Sequence, residues 1–345
     1  MDITAQRKIV AILKVLKENN QPLGSTAIGR HLADWGIDLR DRMIRNYLKI
    51  TDQSGWTINL GRRGRALTDL GRKELEVGIA IDKVGFVASR VDELSYKMTF
   101  DEQRLTGTVI LNNSIIKAPY PLDTILGEIR GVMRAKLGMG RLLLMAHPGQ
   151  NVLNINIPED HVAVATICSV TLNGVLLRQG IAMTSRFGGL LELHDGRPVR
   201  FRHIINYDGS TLDPLEIFIK GKMTSVREAA WTGTGVIGAS FREIPTIALP
   251  AAQDVIQKLD QLGLGGVLMV GKPNQPLLDI PVSSGRVGII VAGGLNPIAA
   301  LEEIGIATQS SALHSLCEFY RLQSINDIAD KYLSASGGTD QIYQP

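Results

Sequence analysis

KLGMGRLLLMAHPGQ at residues 136–150 returns, altered, as QLGLGGVLMVGKPNQ at residues 261–275. Leu137 and Leu262, Gly138 and Gly263, Gly140 and Gly265, Leu143 and Leu268, Pro148 and Pro273, and Gln150 and Gln275 are identical at a constant spacing of 125 residues. Composition alone would give an identity at about one position in twenty, so these matches mark an internal duplication. Beyond the repeat the second copy reads two residues shorter, so that Pro158 meets Pro281, Val164 meets Val287, and Leu172-Asn173 meets Leu295-Asn296. The first spacing returns at Leu176/Leu301, Gly180-Ile181-Ala182/Gly305-Ile306-Ala307 and Ser185/Ser310. Upstream, Pro119 and Asp123 pair with Pro250 and Asp254.

Each copy reads as an apolar strand, a helix, the hinge-like LGxG, further strands, and a short helix near the Leu-Asn pair. Leu122, Ile125, Leu126 and Ile129 recur at helical spacing in the first copy, as do Ala252, Val255, Ile256 and Leu259 in the second. RLLLMA, HVAVATIC and RVGIIVAG are apolar enough to be central strands. The expected body is α/β in the α+β sense: two α/β repeats related by a pseudo-twofold axis, residues 107–193 and 233–318, with a cleft between them. Residues 194–232 bridge the repeats. Residues 319–345 supply a C-terminal helix, with Ile325, Ile328, Ala329 and Tyr332 at its inner face, that closes the fold or a dimer, followed by a loose tail.

Before the body lies a different kind of sequence. The chain's net charge of +3 conceals a division: residues 1–76 carry 14 Lys+Arg against 9 Asp+Glu, and the remainder carries 23 against 25. A small basic head on a nearly neutral body suits a nucleic-acid reader joined to another module. Within TAQRKIVAILKVLKEN (4–19), Ile9, Ile12, Leu13 and Leu16 form one apolar stripe of a helix. Ser25 is placed to cap a second helix that ends at Trp35-Gly36. A third helix from about Asp41 to Ser54 puts Arg42, Arg45, Asn46 and Lys49 in one stripe, with Met43, Ile44, Tyr47 and Leu48 opposite. WTINLGRRGRALT (56–68) reads as two short strands around a basic tip carrying Arg62, Arg63 and Arg65, before a helix in DLGRKELE (69–76). Three helices and a basic hairpin are the order of a winged helix. Its third helix would meet the major groove, and its wing the neighbouring phosphates or the minor groove. Docking to RNA or protein is open to the same module. Residues 77–106 read as a connecting helix.

With 44% hydrophobic and 21% charged residues the composition is globular, which argues against disorder. Cys168 and Cys317, far apart in apolar surroundings, suit a reducing compartment and do not support a disulfide framework or structural zinc. No apolar run is long enough to span a membrane and the first ten residues are too polar for a signal peptide, so a cytoplasmic protein is expected.

The sequence resembles the NrpR transcriptional repressors of nitrogen genes, which join a ribonuclease R-type winged helix to a regulatory domain. DRMIRNYLKITDQSGW and GRRGRALTDLGRKEL carry the likeness in the head, and GTVILNNSIIK, RFGGLLEL and GASFREIP carry it in the body. The resemblance implies a homodimer on a palindromic operator in double-stranded DNA, released by the small-molecule effector 2-oxoglutarate, with no other cofactor. Such a dicarboxylate wants charge-assisted donors and helix N-termini. Candidates are His147 with Lys272, Gln150 with Gln275, Asn173 with Asn296, and the unpaired cation Arg186. The alternative is a small-molecule enzyme with a docking head. Gly233, Gly235 and Gly238 have dinucleotide-loop spacing but lie between a helix and a strand, the reverse of what that loop needs, so the segment reads as a strand-entry turn. No other catalytic motif appears.

Overall fold

The structure, a computed structural model, describes residues 3–19, 21–72, 75, 86–117, 121–153 and 155–335. Pro119, residues 77–85 of the expected connector, and the tail from 336 lie outside the described residues. Two compact units divide after Gly85.

In the first unit, α1 (Ile3–Asn19), α2 (Ser25–Asp34) and α3 (Asp41–Gln53) precede the antiparallel hairpin of β1 (Thr57–Asn59) and β2 (Arg65–Leu67). The expected stripe of α1 is buried: Ile12 and Leu16 join Ile28, Leu32, Ile44 and Leu48, and Ile9 and Leu13 pack with Leu75. Two local expectations fail. Gly24, not Ser25, is the N-cap of α2. Met43 is not in the core: it is 38% exposed, whereas Ile44 and Leu48 are fully buried. Leu23 adds a bridge to β2, and a Cβ on Gly64, at φ +96°, would lie 2.3 Å from the Leu23 carbonyl carbon. Only glycine lets the wing close there.

The second unit begins with α4 (Val87–Lys97). Val87 and Val91 are buried in the body's core, so this helix is part of the body and not a free connector. The first copy then runs β3 (Thr108–Lys117), α5 (Leu122–Arg134), β4 (Leu142–Ala146), the small hairpin β5 (Asn151–Val152) and β6 (Ile155–Asn156), β7 (His161–Ile167), α6 (Val170–Arg178) and β8 (Thr184–His194). The bridge supplies β9 (Arg197–Asn206), α7 (Pro214–Lys220) and α8 (Val226–Thr232). The second copy is β10 (Gly235–Pro245), α9 (Leu249–Gln261), β11 (Val267–Val270), β12 (Arg286–Ala292), α10 (Asn296–Glu303) and β13 (Thr308–Glu318). β14 (Gln323–Ser324) and α11 (Ile325–Ala335) end the described chain. α11 closes the fold, burying Ile325, Ile328 and Ala329 against α5.

Two antiparallel five-stranded sheets result, in the orders β13-β3-β7-β4-β14 and β11-β12-β10-β8-β9. The last strand of each copy is therefore in the sheet of the other: β8 pairs with β10, and β13 with β3. The helices cross in the same way, α5 against α10 and α9 against α6. The copies are interlocked rather than standing as separate lobes across a cleft. Between them the two LGxG hinges touch. The Arg141 N–H donates to the Gly263 carbonyl at 3.0 Å, and a Cβ on Gly140 would stand 1.9 Å from that oxygen. This backbone contact leaves no room for a side chain at Gly140.

Hydrogen bonds also correct the alignment of the copies. The Thr171 hydroxyl bonds both the N–H and the carbonyl of Ile110, and the Asn296 amide does the same for Gly238. Asn296 thus corresponds to Thr171, not Asn173. β7 and β12 begin 125 residues apart, and the two-residue shortening is not found there. The length difference lies upstream, where α5 and α9 begin 127 residues apart. Pro158/Pro281 and Val164/Val287 are therefore coincidental matches.

Candidate nucleic-acid interface and the polar centre of the body

On α3, Arg42, Arg45, Asn46 and Lys49 are all exposed on the side away from Ile44 and Leu48. Arg45 forms an ion pair with Asp41. The Ser25 hydroxyl and the Arg45 guanidinium hold the Asp41 carboxyl below the usual carboxylate range. The Arg45 side chain is 62% exposed, and a surface pair of this kind contributes little to stability. Arg62 and Arg63 project from the exposed turn Gly61–Arg63 at the wing tip. Arg65 behaves differently from its neighbours. Its Nε donates to Asp52 at 2.9 Å, the Thr57 hydroxyl donates to the same carboxylate at 2.6 Å, and the arginine side chain is only 18% exposed. Arg65 ties the base of the wing to the end of α3, which removes it from the free donors.

The seven residues considered for an effector fall in separate places. His147 and Gln150 belong to one turn, in which the His147 N–H donates to the Gln150 side-chain oxygen at 3.0 Å. Lys272 and Gln275 form the equivalent turn, closed by the Gln275 N–H on the Lys272 carbonyl at 3.2 Å. Asn296 is fully buried and holds the Leu137 carbonyl as well as Gly238, a structural role that leaves its amide committed. A groove of about 520 Å³ runs along α9 beside Met139, Gln253, Gln257 and Leu264, and none of the seven lines it. A second groove, about 450 Å³, includes His147 with Met145, Gln323 and Asp327.

Asn173 belongs to a buried polar centre built around a residue that sequence reasoning passed over. Arg242, in the middle of β10, is completely buried. Its guanidinium donates to Asn173 Oδ1, to the Ser169 carbonyl at 2.8 Å and hydroxyl at 2.6 Å, and to the Ser240 hydroxyl at 3.2 Å. The Asn173 amide donates onward to Ser185 at 3.0 Å. Among the described residues no carboxylate pairs with Arg242 directly, but Tyr207 and Asp213 are close enough to feel its charge. Burial pushes the Arg242 guanidinium down, the Tyr207 hydroxyl up, and the Asp213 carboxyl up to about 6. Burial also raises the Cys168 thiol to about 11, which keeps it unreactive at neutral pH.

Arg186 is displaced from the strand register by a β-bulge. Phe241 faces Phe187 and Arg242 faces Ser185, so Arg186 is the extra residue and turns aside from the ladder. It pairs with Glu243, whose side chain is 3% exposed. Burial works to raise the Glu243 carboxyl, but Ser283 and Arg186 hold it below the usual range. In the other copy the position of Arg242 is taken by Ser114, which faces Ser310 as Arg242 faces Ser185. The charged centre thus exists in one half only. The one available signal was an arginine inside the apolar strand GVIGASFREIP.

Gly233, at φ +78°, ends α8, and β10 begins at Gly235, so the glycine spacing there is a helix-to-strand turn. Among the described residues no cluster of His, Cys, Asp and Glu could hold a metal ion, and no helix is long and apolar enough to cross a membrane.

A winged helix with an outward basic stripe, joined to an interlocked duplicated body, defines the class: a transcriptional regulator rather than an enzyme. The chain belongs to the NrpR family. The family model for NrpR regulatory domains NRD1 and 2 matches residues 84–324, and that for the ribonuclease R winged-helix domain matches residues 10–75. The chain is similar to the global nitrogen regulator NrpRI of Methanosarcina mazei, with 32% identity over 94% of this chain and 100% of the relative. Global nitrogen regulators NrpR of Methanococcus maripaludis and Methanocaldococcus jannaschii are 31% and 28% identical over 89% and 93% of this chain. The matches cover 53% and 55% of those two relatives, so this chain spans about half their length. A crystal structure of a nitrogen repressor-like protein from Methanococcus jannaschii matches 70% of this chain and 99% of its own, with a TM-score of 0.59 and 28% identity.

Proposed function

We propose that this chain is a DNA-binding repressor of nitrogen-assimilation genes, acting as a homodimer on a palindromic operator and released by 2-oxoglutarate. The observation that carries the reading is the outward stripe Arg42, Arg45, Asn46 and Lys49 on the third helix of a winged helix, flanked by Arg62 and Arg63. Guanidinium and ammonium groups suit phosphates, and asparagine suits the adenine edge in the major groove. Two-fold pairing of such modules matches two half-sites about one helical turn apart. The names of the relatives support the choice of nitrogen genes.

For the effector, Arg186 is the strongest of the sequence candidates. It is a half-exposed cation whose partner is the Glu243 carboxylate, a charged centre that a dicarboxylate ligand can enter by replacing that carboxylate. Lys272, His147, Gln150 and Gln275 lie on turns away from that centre, and Asn296 serves the hinge. The test is fluorescence anisotropy of the full chain on duplexes from upstream of nitrogen-assimilation genes. Tight binding to a palindromic site that weakens as 2-oxoglutarate is added, with Arg186→Ala blunting the response, is the expected outcome. Equal, weak binding to every duplex would sink the repressor reading, and indifference to 2-oxoglutarate would sink the effector.

A further inference from the structure

We infer that Met43 is a specificity-determining residue whose thioether covers the 5-methyl group of a thymine in the major groove, beside the base read by Asn46. The inference rests on the DNA-binding reading above. Met43 is the one large apolar side chain of α3 that stands substantially in water, 38% exposed, while Ile44 and Leu48 are fully buried and Tyr47 and Ile50 are half-buried. A single exposed hydrophobic residue is ordinary on a protein surface. This one is distinguished by its place.

It lies in the first turn of α3, which starts at Asp41, and the N-terminal part of a recognition helix is the part that meets base edges. At 100° per residue Met43 sits about 60° round the helix from Asn46, on the flank of the donor stripe. Exposed apolar side chains elsewhere in the head, such as Ile58 on β1 and Leu70, are off this helix, and Trp35 has the Lys14 ammonium over its ring.

The thymine methyl is the apolar feature of the major groove, and it is what separates a T·A pair from the others by shape. An unbranched, polarizable thioether adapts to such a group better than a branched side chain does. Burying one methyl against Met43 is worth about a threefold to tenfold gain in affinity.

The test deletes the methyl from the DNA. Thymines in a duplex that the full chain shifts specifically are replaced one at a time by deoxyuridine, and affinity is measured by fluorescence anisotropy. At one or two positions the natural chain should lose about threefold to tenfold. Met43→Ala should bind the thymine and deoxyuridine forms of those duplexes equally, Met43→Leu should recover part of the discrimination, and neither should alter the salt slope. A specific complex with a silent scan overturns this inference alone, as does Met43→Ala retaining the full methyl preference. The absence of any specific complex overturns the operator reading and this inference together. Because the scan is performed on the unaltered protein, it decides even if the alanine variant folds poorly.

Discussion

Arg242 has no surface exposure and, among the described residues, no ion-pair partner, so its charge is tolerated through hydrogen bonds to Ser169, Asn173 and Ser240. Removing it by Arg242→Ala strands the Ser169 carbonyl and the Asn173 oxygen in the core, and should cost about 3–5 kcal/mol in urea unfolding. Arg242→Met, which refills the volume, should cost less. Asp213 starts α7 and accepts from the Leu215 N–H at 2.9 Å, while burial lifts its carboxyl to about 6. An acid with a raised folded pKa favours the folded state below its unfolded value of 3.8 and loses that advantage as pH rises through about 6. Stability should therefore fall between about pH 4 and 6 through this group, by an amount on the order of 3 kcal/mol. Asp213→Asn keeps a capping side chain and should flatten that part of the pH profile of thermal unfolding; an unchanged slope would assign the effect elsewhere. The role of neither residue was legible in the sequence: the only hint at Arg242 was a charge inside an apolar strand, and its partners Ser169 and Asn173 lie about 70 positions away.

The third helix and its wing were legible, because a stripe of donors at helical spacing opposite an apolar stripe is a local pattern. The roles within them separate in experiment. Asn46→Ala should cost about 1–3 kcal/mol of specific affinity, and Arg42→Ala or Lys49→Ala should each lower the salt slope by about one. Arg65→Ala should leave that slope unchanged and instead destabilise the head by about 1 kcal/mol, because its partner is Asp52 and not a phosphate. Periodicity did not reveal that difference, nor the exposure of Met43: both depend on what packs next to the helix, which spacing along one element does not report. At the LGxG hinge, Gly140→Ala forces a methyl into the Gly263 carbonyl and should lower the thermal midpoint sharply, whereas Gly127→Ala, with open space around it, should raise it slightly.

For the molecule as a whole the consequence of the exchanged strands is that neither copy of the body is a folding unit. Residues 86–195 expressed alone would carry β8 without β10, and lose β13 from the edge of β3. Such a fragment should show no cooperative unfolding transition, and a cooperative one would contradict the interlocked arrangement. The sequence by itself determined the winged-helix head, the division of charge, the duplication and most helices, because each is written in local periodicity or in self-similarity. The tertiary structure alone decided which copy each strand belongs to in space, why Gly140 has no room for a side chain, and where the buried charge sits. The physical reason is range: hydrophobic spacing sets which face of an element is buried, while strand partners and hydrogen bonds in the core are made between residues far apart in the chain.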